Sequence, residues 1–284
     1  MAFECVPLSE VVGVEVRGFD PRQPVKGPDL DALLDAWRDN LVLLIRGYPL
    51  SDEELIAFSC VFGSLDPPGP NPYGAPFLED FPELNVISNV VEDGQPIGGL
   101  GAGEAVWHAD MTYRDLPPKA TVLHAIELPD SGGDTYFANM IEAYETLPGS
   151  LKDRIEGLIA IHDGAHNSTG QLRKGYKETT DVSETPGARH PLVRTDPDTG
   201  LKALFLGRRP HGYIVGLEVE ESEDLLDELW DHATQSRFAL AHQWRVADTL
   251  IWNNLSLLHR RDPFDNSARR IMHRAQISGD HPVS

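Results

Sequence analysis

The sequence predicts a mostly β protein, with a sandwich or barrel core decorated by α-helices. Short apolar runs bounded by glycine, proline or small polar residues recur along most of the 284 residues, as is typical of strands. Longer stretches with apolar residues at helical spacing interrupt these runs without a regular strand-helix alternation. That order is typical of an antiparallel core with helices outside it, and not of a parallel sheet. We predict one domain over residues 1–284.

The N-terminal region predicts an α/β layer. Leucine and tryptophan residues at helical spacing predict a helix over 29–38, and the apolar run over 41–45 predicts a buried strand. Ser51 and Glu54 have the spacing of a capping box, in which each side chain accepts a hydrogen bond from the backbone N–H of the other residue. They predict the start of a second helix, which Gly63 ends.

The middle of the chain alternates loops with short strands. Proline and glycine dominate 66–103 apart from a predicted strand over 84–91. Further on, 121–128 predicts a strand, 131–134 a turn, and 135–137 the partner strand of a hairpin. Because loops rich in proline and glycine flank pockets more often than cores, we expect a pocket near this region.

One segment, 164–188, is polar, rich in glycine and too long for a plain connection. We interpret it as an active-site lid, with a disordered linker as the alternative. Around this segment the sequence predicts a helix over 141–158, a hairpin over 192–206, a helix over 221–237, and strands over 249–252 and 270–277.

The composition excludes several classes of function. With 45 acidic against 24 basic residues, the chain carries a net charge of −21 and would be repelled by nucleic acid and by anionic membranes. No apolar run approaches the roughly 18 residues that a membrane-spanning helix needs. Cys5 and Cys60 form neither a CxxC motif nor a disulfide framework, so we expect a cytoplasmic protein. Its expected partner is a small-molecule substrate, and the sequence is compatible with a homo-oligomer.

The stretch Trp-His-Ala-Asp at 107–110 carries the clearest chemical signal. It lies in predicted extended chain, where alternate side chains face the same side, so His108 and Asp110 can converge on one metal ion. A single His-x-Asp pair is weak evidence, because most such pairs are hydrogen-bonded to protein or solvated. The interpretation therefore depends on a third ligand elsewhere in the chain.

Two contexts compete to supply that ligand among the 11 histidines. His162 and His166 are four residues apart, but Gly164 lies between them and no acidic ligand accompanies them, which disfavours a zinc-binding helix. We interpret both as surface histidines. His259 is better placed, because it follows the predicted strand over 249–252 and precedes an arginine-rich region.

The last predicted strand carries two arginines on one face. Arg270 and Arg274 are four residues apart, which corresponds to about 13 Å at roughly 3.3 Å per residue. Arginine binds carboxylates through two parallel hydrogen bonds, so a metal site beside it suits a chelator that carries a carboxylate. The alternative is an exposed edge strand, where arginine is common.

The sequence resembles the iron(II)/2-oxoglutarate dioxygenases of the taurine dioxygenase and phenoxyacetate-herbicide dioxygenase family. The order and spacing of the motifs match as well as their residues, and the resemblance covers nearly the whole chain. The motifs are Trp107-His108-Ala109-Asp110, Gly132-Gly133-Asp134-Thr135, Trp252-Asn253-Asn254 with His259, and Arg270-Ile271-Met272-His273-Arg274 with Gly279-Asp280.

This resemblance implies a double-stranded β-helix, or jelly roll, with the metal inside one end. It implies that His108, Asp110 and His259 bind iron(II) as a facial triad, which leaves three positions for 2-oxoglutarate and oxygen. It further implies that Arg270 and Thr135 bind the far carboxylate of 2-oxoglutarate. The reaction implied is oxidative decarboxylation of 2-oxoglutarate to succinate, coupled to hydroxylation of a small acidic or zwitterionic substrate.

The chain departs from the family pattern at two positions. Asn253 stands where the family commonly has Asp, and Glu104 stands four residues before His108, where relatives can carry Asn. Asp110 is intact, which separates the chain from the related halogenases. Arg274 matches a position that binds an acidic substrate group in some members. With Glu104 opposite it, we predict an amine-bearing acid as substrate; the alternative is that Glu104 is exposed to solvent or pairs with Arg274.

Two other functions are compatible with the metal ligands. A zinc hydrolase could use the same three residues with a bound water, although it has no need of the carboxylate clamp formed by Arg270 and Thr135. A non-catalytic jelly-roll protein with a vestigial metal site is the second alternative. Retention of all three ligands argues against such decay.

Overall fold

The computed structural model describes residues 3–68 and 76–283. Within these ranges the α-helices are α1 (Pro28–Asn40), α2 (Asp52–Ser59), α3 (Met140–Glu145), α4 (Gly149–Ile155) and α5 (Val219–Ala233). The strands are β1 (Glu4–Pro7), β2 (Val14–Arg17), β3 (Val42–Ile45), β4 (Leu65–Asp66), β5 (Asn85–Ser88), β6 (Val91–Glu92), β7 (Gln95–Pro96), β8 (Gly99–Leu100), β9 (Ala105–His108), β10 (Ala120–Glu127), β11 (Thr135–Asn139), β12 (Ile159–Asp163), β13 (Gly187–Pro191), β14 (Val193–Thr195), β15 (Lys202–Leu204), β16 (Tyr213–Ile214), β17 (Ala239–His242), β18 (Thr249–Asn253), β19 (Leu257–Arg261) and β20 (Ile271–Ile277).

Two sheets form the core. The larger sheet has the order β1-β2-β3-β18-β10-β20-β5-β8, with β4 also paired to β20, and the smaller sheet has the order β17-β11-β19-β9. Most neighbours are antiparallel and far apart in sequence, and the chain passes repeatedly from one sheet to the other. This is the topology of a double-stranded β-helix, as predicted.

Alternation along the strands gives each sheet an inner and an outer face. In β10, Leu123 and Ala125 belong to the apolar cluster between the sheets, whereas Val122 belongs to a cluster that includes residues of α1 and α2. The smaller sheet contributes Phe137 to the inner cluster, and its ring centroid lies 5.4 Å from that of Trp252 in the larger sheet. The inner face is therefore apolar except where the functional side chains project.

The helices cover the outer faces of both sheets. Helix α2 begins at Ser51, whose Oγ accepts a hydrogen bond from the Glu54 backbone N–H, while the Glu54 carboxylate accepts one from the Ser51 N–H. The predicted capping box is thus confirmed. On the other side, α3, α4 and α5 pack in a cluster that includes Ala138 and Leu258 of the smaller sheet.

Two of the predicted elements are wrong. β10 pairs with β18 and β20 in the larger sheet, whereas β11 pairs with β17 and β19 in the smaller sheet, so they do not form a hairpin. Gly132 and Gly133, with φ of 79° and 71°, turn the chain between the sheets.

The helix predicted over 141–158 is two helices, because Pro148 lies between α3 and α4. The hairpin predicted over 192–206 is confirmed by the pairing of β14 with β15.

In the described part of the chain, no helix has both the length and the apolar character needed to span a membrane.

Contact between the two sheets should dominate stability. Phe137 is fully buried between them, so Phe137→Ala should lower the free energy of unfolding by about 3–5 kcal/mol, because it removes apolar contacts and leaves a cavity. Urea unfolding followed by far-UV circular dichroism measures the change. Val246 is 59% exposed, and Val246→Ala should change the same quantity by less than about 0.5 kcal/mol. Equal effects of the two substitutions would contradict this account of the core.

Candidate metal centre

Three metal-ligating side chains meet at one end of the space between the sheets. His108 ends β9, Asp110 follows two residues later, and His259 lies in the middle of β19. Strands β9 and β19 are antiparallel neighbours in a register that sets His108 opposite His259. The Nε2 atoms of His108 and His259 lie 3.6 and 3.8 Å from Oδ1 of Asp110. All three side chains are buried, and the structure brings together the predicted ligands.

Asp110 reaches the histidines because the chain turns after His108. The predicted extended chain stops there, and Met111 adopts the left-handed conformation with φ of 52°. The backbone N–H of Ala109 donates to the carbonyl of Gly207 at 2.9 Å, which holds the turn against a neighbouring loop. Same-side placement of His108 and Asp110 therefore comes from a strand end and a turn, and not from a continuous strand.

Neighbouring groups orient each ligand atom. His108 donates from Nδ1 to the Val106 carbonyl at 2.7 Å, so its Nε2 is left as the lone-pair donor for a metal. The Thr121 hydroxyl donates to Oδ2 of Asp110 at 2.9 Å and leaves Oδ1 facing the histidines. This contact joins the larger sheet to the metal ligands, because Thr121 lies in β10.

Asn254 fixes the backbone of Asp110. Its Oδ1 accepts from the Asp110 N–H at 2.7 Å, and its Nδ2 donates to the carbonyls of Asp110 at 2.9 Å and Pro118 at 2.8 Å. The neighbouring Asn253 accepts from the N–H groups of Leu255 and Ser256 through Oδ1. An Asp at position 253 would offer the same acceptor, so the departure from the family motif leaves these two hydrogen bonds in place.

The charges in the site suit a divalent metal. Burial lowers the pKa of His259 to about 3, and His108 adds to this effect, so the imidazole is neutral at pH 7. Burial alone would raise the pKa of Asp110, but Arg274 and the two histidines hold it well below its usual range. Two imidazoles and one carboxylate with open positions are the donor set of non-haem iron(II) oxygenases.

Arg270 provides a buried cation on the larger sheet. Its side chain is 2% exposed, its Nε has no hydrogen-bond partner, and no carboxylate of residues 3–68 or 76–283 pairs with it. Burial, together with the charge of Arg261, lowers the pKa of Arg270 to about 9. A buried unpaired guanidinium is costly, so this position fits the carboxylate of a bound anion.

Thr135 and a glycine make room beside Arg270. A Cβ atom added to Gly133 would lie 3.3 Å from Nε of Arg270, so a larger residue there would crowd the guanidinium. Two residues on, the buried Thr135 accepts a hydrogen bond from Nε1 of Trp244 at 2.9 Å, which leaves its own hydroxyl proton free to donate. Arg270 and Thr135 thus present a buried guanidinium and a free hydroxyl proton, which suit a carboxylate.

The two predicted substrate residues are not paired with each other. Arg274 lies on the same face of β20 as Arg270, and its Nη1 lies 3.3 and 3.4 Å from the two oxygens of Asp110. Glu104 is exposed, and no hydrogen bond or ion pair joins it to Arg274. β20 lies between β10 and β5, so the edge-strand alternative is wrong.

A second His–carboxylate group exists in the described residues and is already satisfied. Asp163, His166 and His211 have ligand atoms within 4.8 Å of one another. However, Asp163 accepts hydrogen bonds from Arg208, from Nδ1 of His166 and from the Ala165 N–H, so its charge is neutralised by protein. We interpret this group as a buried ion-pair network.

The prediction that His162 and His166 are surface histidines is wrong. Their relative exposures are 2% and 4%, and His162 stacks on Phe205 with ring centroids 5.3 Å apart. β12, which carries His162, lies between β13 and β16 and is covered on both edges. His162 follows the apolar run 158–161, and the sequence does not show which segments cover it.

The segment 164–188 packs beside the metal ligands. The Ser168 carbonyl accepts from the Val106 N–H at 3.2 Å, and the Arg173 guanidinium lies 4.1 Å from the ring centroid of Tyr113. Arg208 also donates to the Asn167 carbonyl at 2.6 Å. These contacts place the segment over the edge of β9, and its role as a lid stays a prediction.

Comparison with known proteins identifies the family. A family model described as "Taurine catabolism dioxygenase TauD, TfdA family" matches residues 4–276. The chain belongs to this family. The TauD/TfdA resemblance predicted from the sequence motifs is thus confirmed, and the zinc-hydrolase and non-catalytic alternatives are not supported.

Relatives within the family are dioxygenases. The chain is 35% identical to an alpha-ketoglutarate-dependent 2,4-dichlorophenoxyacetate dioxygenase from Cupriavidus pinatubonensis, with 98% of each chain covered. It is also 35% identical to an (S)-phenoxypropionate/alpha-ketoglutarate-dioxygenase from Sphingobium herbicidovorans, over 98% of this chain and 96% of the relative. The reaction class is therefore dioxygenation with 2-oxoglutarate as cosubstrate, acting on small molecules.

Solved structures of the family agree with the fold, and one of them contains a divalent metal. The structure of AAD-2 in complex with Mn(II) and N-oxalylglycine superposes with a TM-score of 0.81 at 30% identity and covers all of both chains. A taurine dioxygenase from Burkholderia xenovorans has a TM-score of 0.80 at 28% identity, over 100% of this chain and 92% of the other. The predicted jelly roll and the predicted iron(II), 2-oxoglutarate and oxygen are confirmed.

Sequence reasoning missed the residues that orient the ligands. Thr121 belongs to the inward-facing set of β10, but alternation alone does not show that one of these side chains reaches Asp110. The sequence motif included Asn254. Its contact with Asp110 could not be predicted, because the two residues are distant in sequence.

Asn254 should control metal affinity. Asn254→Ala removes three hydrogen bonds that fix Asp110 and Pro118, so the affinity for Mn(II), used as an oxygen-stable probe, should fall about 10- to 100-fold. Asn139 is a matched control, because its side chain also makes three hydrogen bonds, to Val11, Ile141 and Glu142. Asn139→Ala should lower thermal stability and leave Mn(II) affinity unchanged. Calorimetric titration of both variants with Mn(II) measures the two affinities. Equal Mn(II) affinities of the two variants would contradict a positioning role for Asn254.

Proposed function

We propose that this enzyme binds one iron(II) through His108, Asp110 and His259, and hydroxylates a small organic acid with 2-oxoglutarate and oxygen. The observation that carries the proposal is the placement of the triad in the same space between the sheets as the buried Arg270, which has no carboxylate partner among the described residues. A dianionic chelator can bind such a pair of sites with one carboxylate at each end.

Each protein group has a defined task in this reaction. Iron(II), when bound, supplies the redox chemistry that activates oxygen as 2-oxoglutarate is decarboxylated to succinate. Arg270 and Thr135 hold the distal carboxylate and so fix the direction of the cosubstrate. The apolar residues between the sheets, including Phe137 and Trp252, exclude water from the triad.

Arg274 is the group proposed to bind the substrate anion. It is partly exposed, with a side-chain exposure of 13%, and it contacts Asp110 on one side. Because a divalent metal would reduce the attraction between Asp110 and Arg274, the guanidinium can then serve an anionic substrate. The named relatives act on phenoxyacetate and phenoxypropionate, which are both small carboxylic acids. We therefore propose a small carboxylate or sulfonate as the substrate class.

Two finer features complete the proposal. Segment 164–188 would close over the substrate as a lid, because its contacts with Val106 and Tyr113 lie next to the triad.

We assign the enzyme to the cytoplasm, because Cys5 and Cys60 are both free and exposed, as suits a reducing compartment.

The decisive test removes one ligand. Asp110→Ala should lower iron(II) binding from one equivalent to none and abolish 2-oxoglutarate-dependent succinate formation, with a circular dichroism spectrum like that of the wild type. Asp163→Ala is the control, because Asp163 is an equally buried aspartate in the other His–carboxylate group. That variant should still bind one equivalent of iron(II). If Asp110→Ala kept its iron and activity, the triad would be wrongly assigned.

Glu104 tests whether the substrate carries an amine. If Glu104 binds an ammonium group, Glu104→Gln should weaken binding of amine-bearing acids roughly 10- to 100-fold and leave their deaminated analogues unchanged. The substrate concentration that gives half-maximal succinate release, measured for each acid and its deaminated analogue, gives the comparison. Glu79→Gln is the control, because Glu79 is another exposed glutamate. Equal effects on both classes, or none, would direct the search to simple carboxylates and sulfonates.

A further inference from the structure

A second buried arginine lies in the proposed cosubstrate pocket. Arg261 is two residues beyond His259 on β19 and faces the same side of that strand. Its relative exposure is 7%, and in the register of the smaller sheet it stands opposite Thr135 on β11. Thr135, which is proposed to donate to the distal carboxylate of 2-oxoglutarate, therefore has an arginine as its neighbour in the antiparallel ladder.

Arg261 and Arg270 lie beside the same aromatic ring. The guanidinium carbon of Arg261 is 5.5 Å from the ring centroid of Phe264, and that of Arg270 is 5.8 Å from it. Arg261 lies in β19 of the smaller sheet and Arg270 directly precedes β20 of the larger sheet, so both sheets contribute a cation beside this ring. An anion bound beside the ring would be attracted by both cations.

No acidic side chain in the described residues neutralises either arginine. The side chain of Arg261 donates from Nη2 to the backbone carbonyls of Leu100 and Gly103, which are neutral acceptors. Within the described residues its Nε has no hydrogen-bond partner, and the same holds for Nε of Arg270. Two buried positive charges with no protein anion are costly, and the cost is offset when an anion binds.

We propose that Arg261 is a second cosubstrate-binding residue, which acts with Arg270 and Thr135 on the distal carboxylate of 2-oxoglutarate. This inference rests on the proposed cosubstrate role of Arg270. Arg261 makes the pocket select 2-oxo acids with a second carboxylate over those without one. Because the same guanidinium holds the carbonyls of Leu100 and Gly103, cosubstrate binding also steadies the loop that leads into β9 and His108.

The test compares two ligands in the Mn(II)-loaded enzyme without oxygen. 2-Oxopentanoate has the same chain as 2-oxoglutarate except that a methyl group replaces the distal carboxylate. Arg261→Gln keeps a side-chain donor for the loop carbonyls and removes the charge. It should weaken 2-oxoglutarate binding about 10- to 100-fold and change 2-oxopentanoate binding less than twofold, because only the first ligand carries the group that Arg261 contacts.

Arg260 supplies a matched control. It is the neighbouring arginine, but it faces the opposite side of β19, over the ring of Tyr136 at 3.8 Å and paired with Asp262. Arg260→Gln should leave both affinities unchanged. Arg261→Lys retains the charge and should bind 2-oxoglutarate more tightly than Arg261→Gln, which keeps the test valid if the uncharged variant folds poorly.

The outcomes separate this inference from the proposed function. If Arg261→Gln lowers only the melting temperature, or weakens both ligands equally, Arg261 serves the loop alone and the inference is overturned. Arg270→Gln, measured in parallel, should weaken 2-oxoglutarate in the same selective way. If Arg270→Gln also has no effect, the cosubstrate role itself fails; if it weakens binding while Arg261→Gln does not, only the inference about Arg261 fails.

Discussion

The pairing of β9 with β19 is the interaction on which the site depends. Its register places His108 opposite His259, and the turn after His108 brings Asp110 to both. A shift by one residue would move His259 to the opposite face of its strand, toward the α-helices. The apolar contacts between the sheets hold this register. The same contacts therefore stabilise the core and fix the positions of the metal ligands. Asn254 and Thr121 then restrict Asp110 from the side of the larger sheet.

Charge is distributed unequally in the space between the sheets. Asp110 is the one carboxylate described at the triad, whereas Arg261, Arg270 and Arg274 all project into the inner space. A folded protein without ligands keeps these cations at a cost in stability, because burial disfavours charge. The cost explains why the region is suited to anions with two acidic groups. It also fits a general trade-off, in which functional sites retain groups that a purely structural core would replace with apolar residues.

Much of this arrangement could be predicted from sequence, and the failures have physical reasons. Helical spacing and the Ser51–Glu54 pair gave α1 and α2, because these signals are local. The full triad came from the resemblance of the motifs to a known family, because the spacing of His108 and Asp110 alone does not identify the third ligand. The paired glycines at 132 and 133 were interpreted as a hairpin, since local conformation does not show which sheet receives the next strand. Burial of His162 and the Arg261–Phe264–Arg270 arrangement depend on contacts between distant segments, which alternation and spacing do not encode.

The separation of the ligands along the chain has a consequence for the lifetime of the protein. His108 and His259 enclose about half of the sequence, so an ion bound to both acts as a removable cross-link across that half. Binding to the folded state alone raises the unfolding free energy as the free metal concentration rises above the dissociation constant. Iron shortage would then do more than stop turnover. It would return the chain to a less stable state that opens more often and is degraded faster, so the amount of enzyme would follow the iron supply.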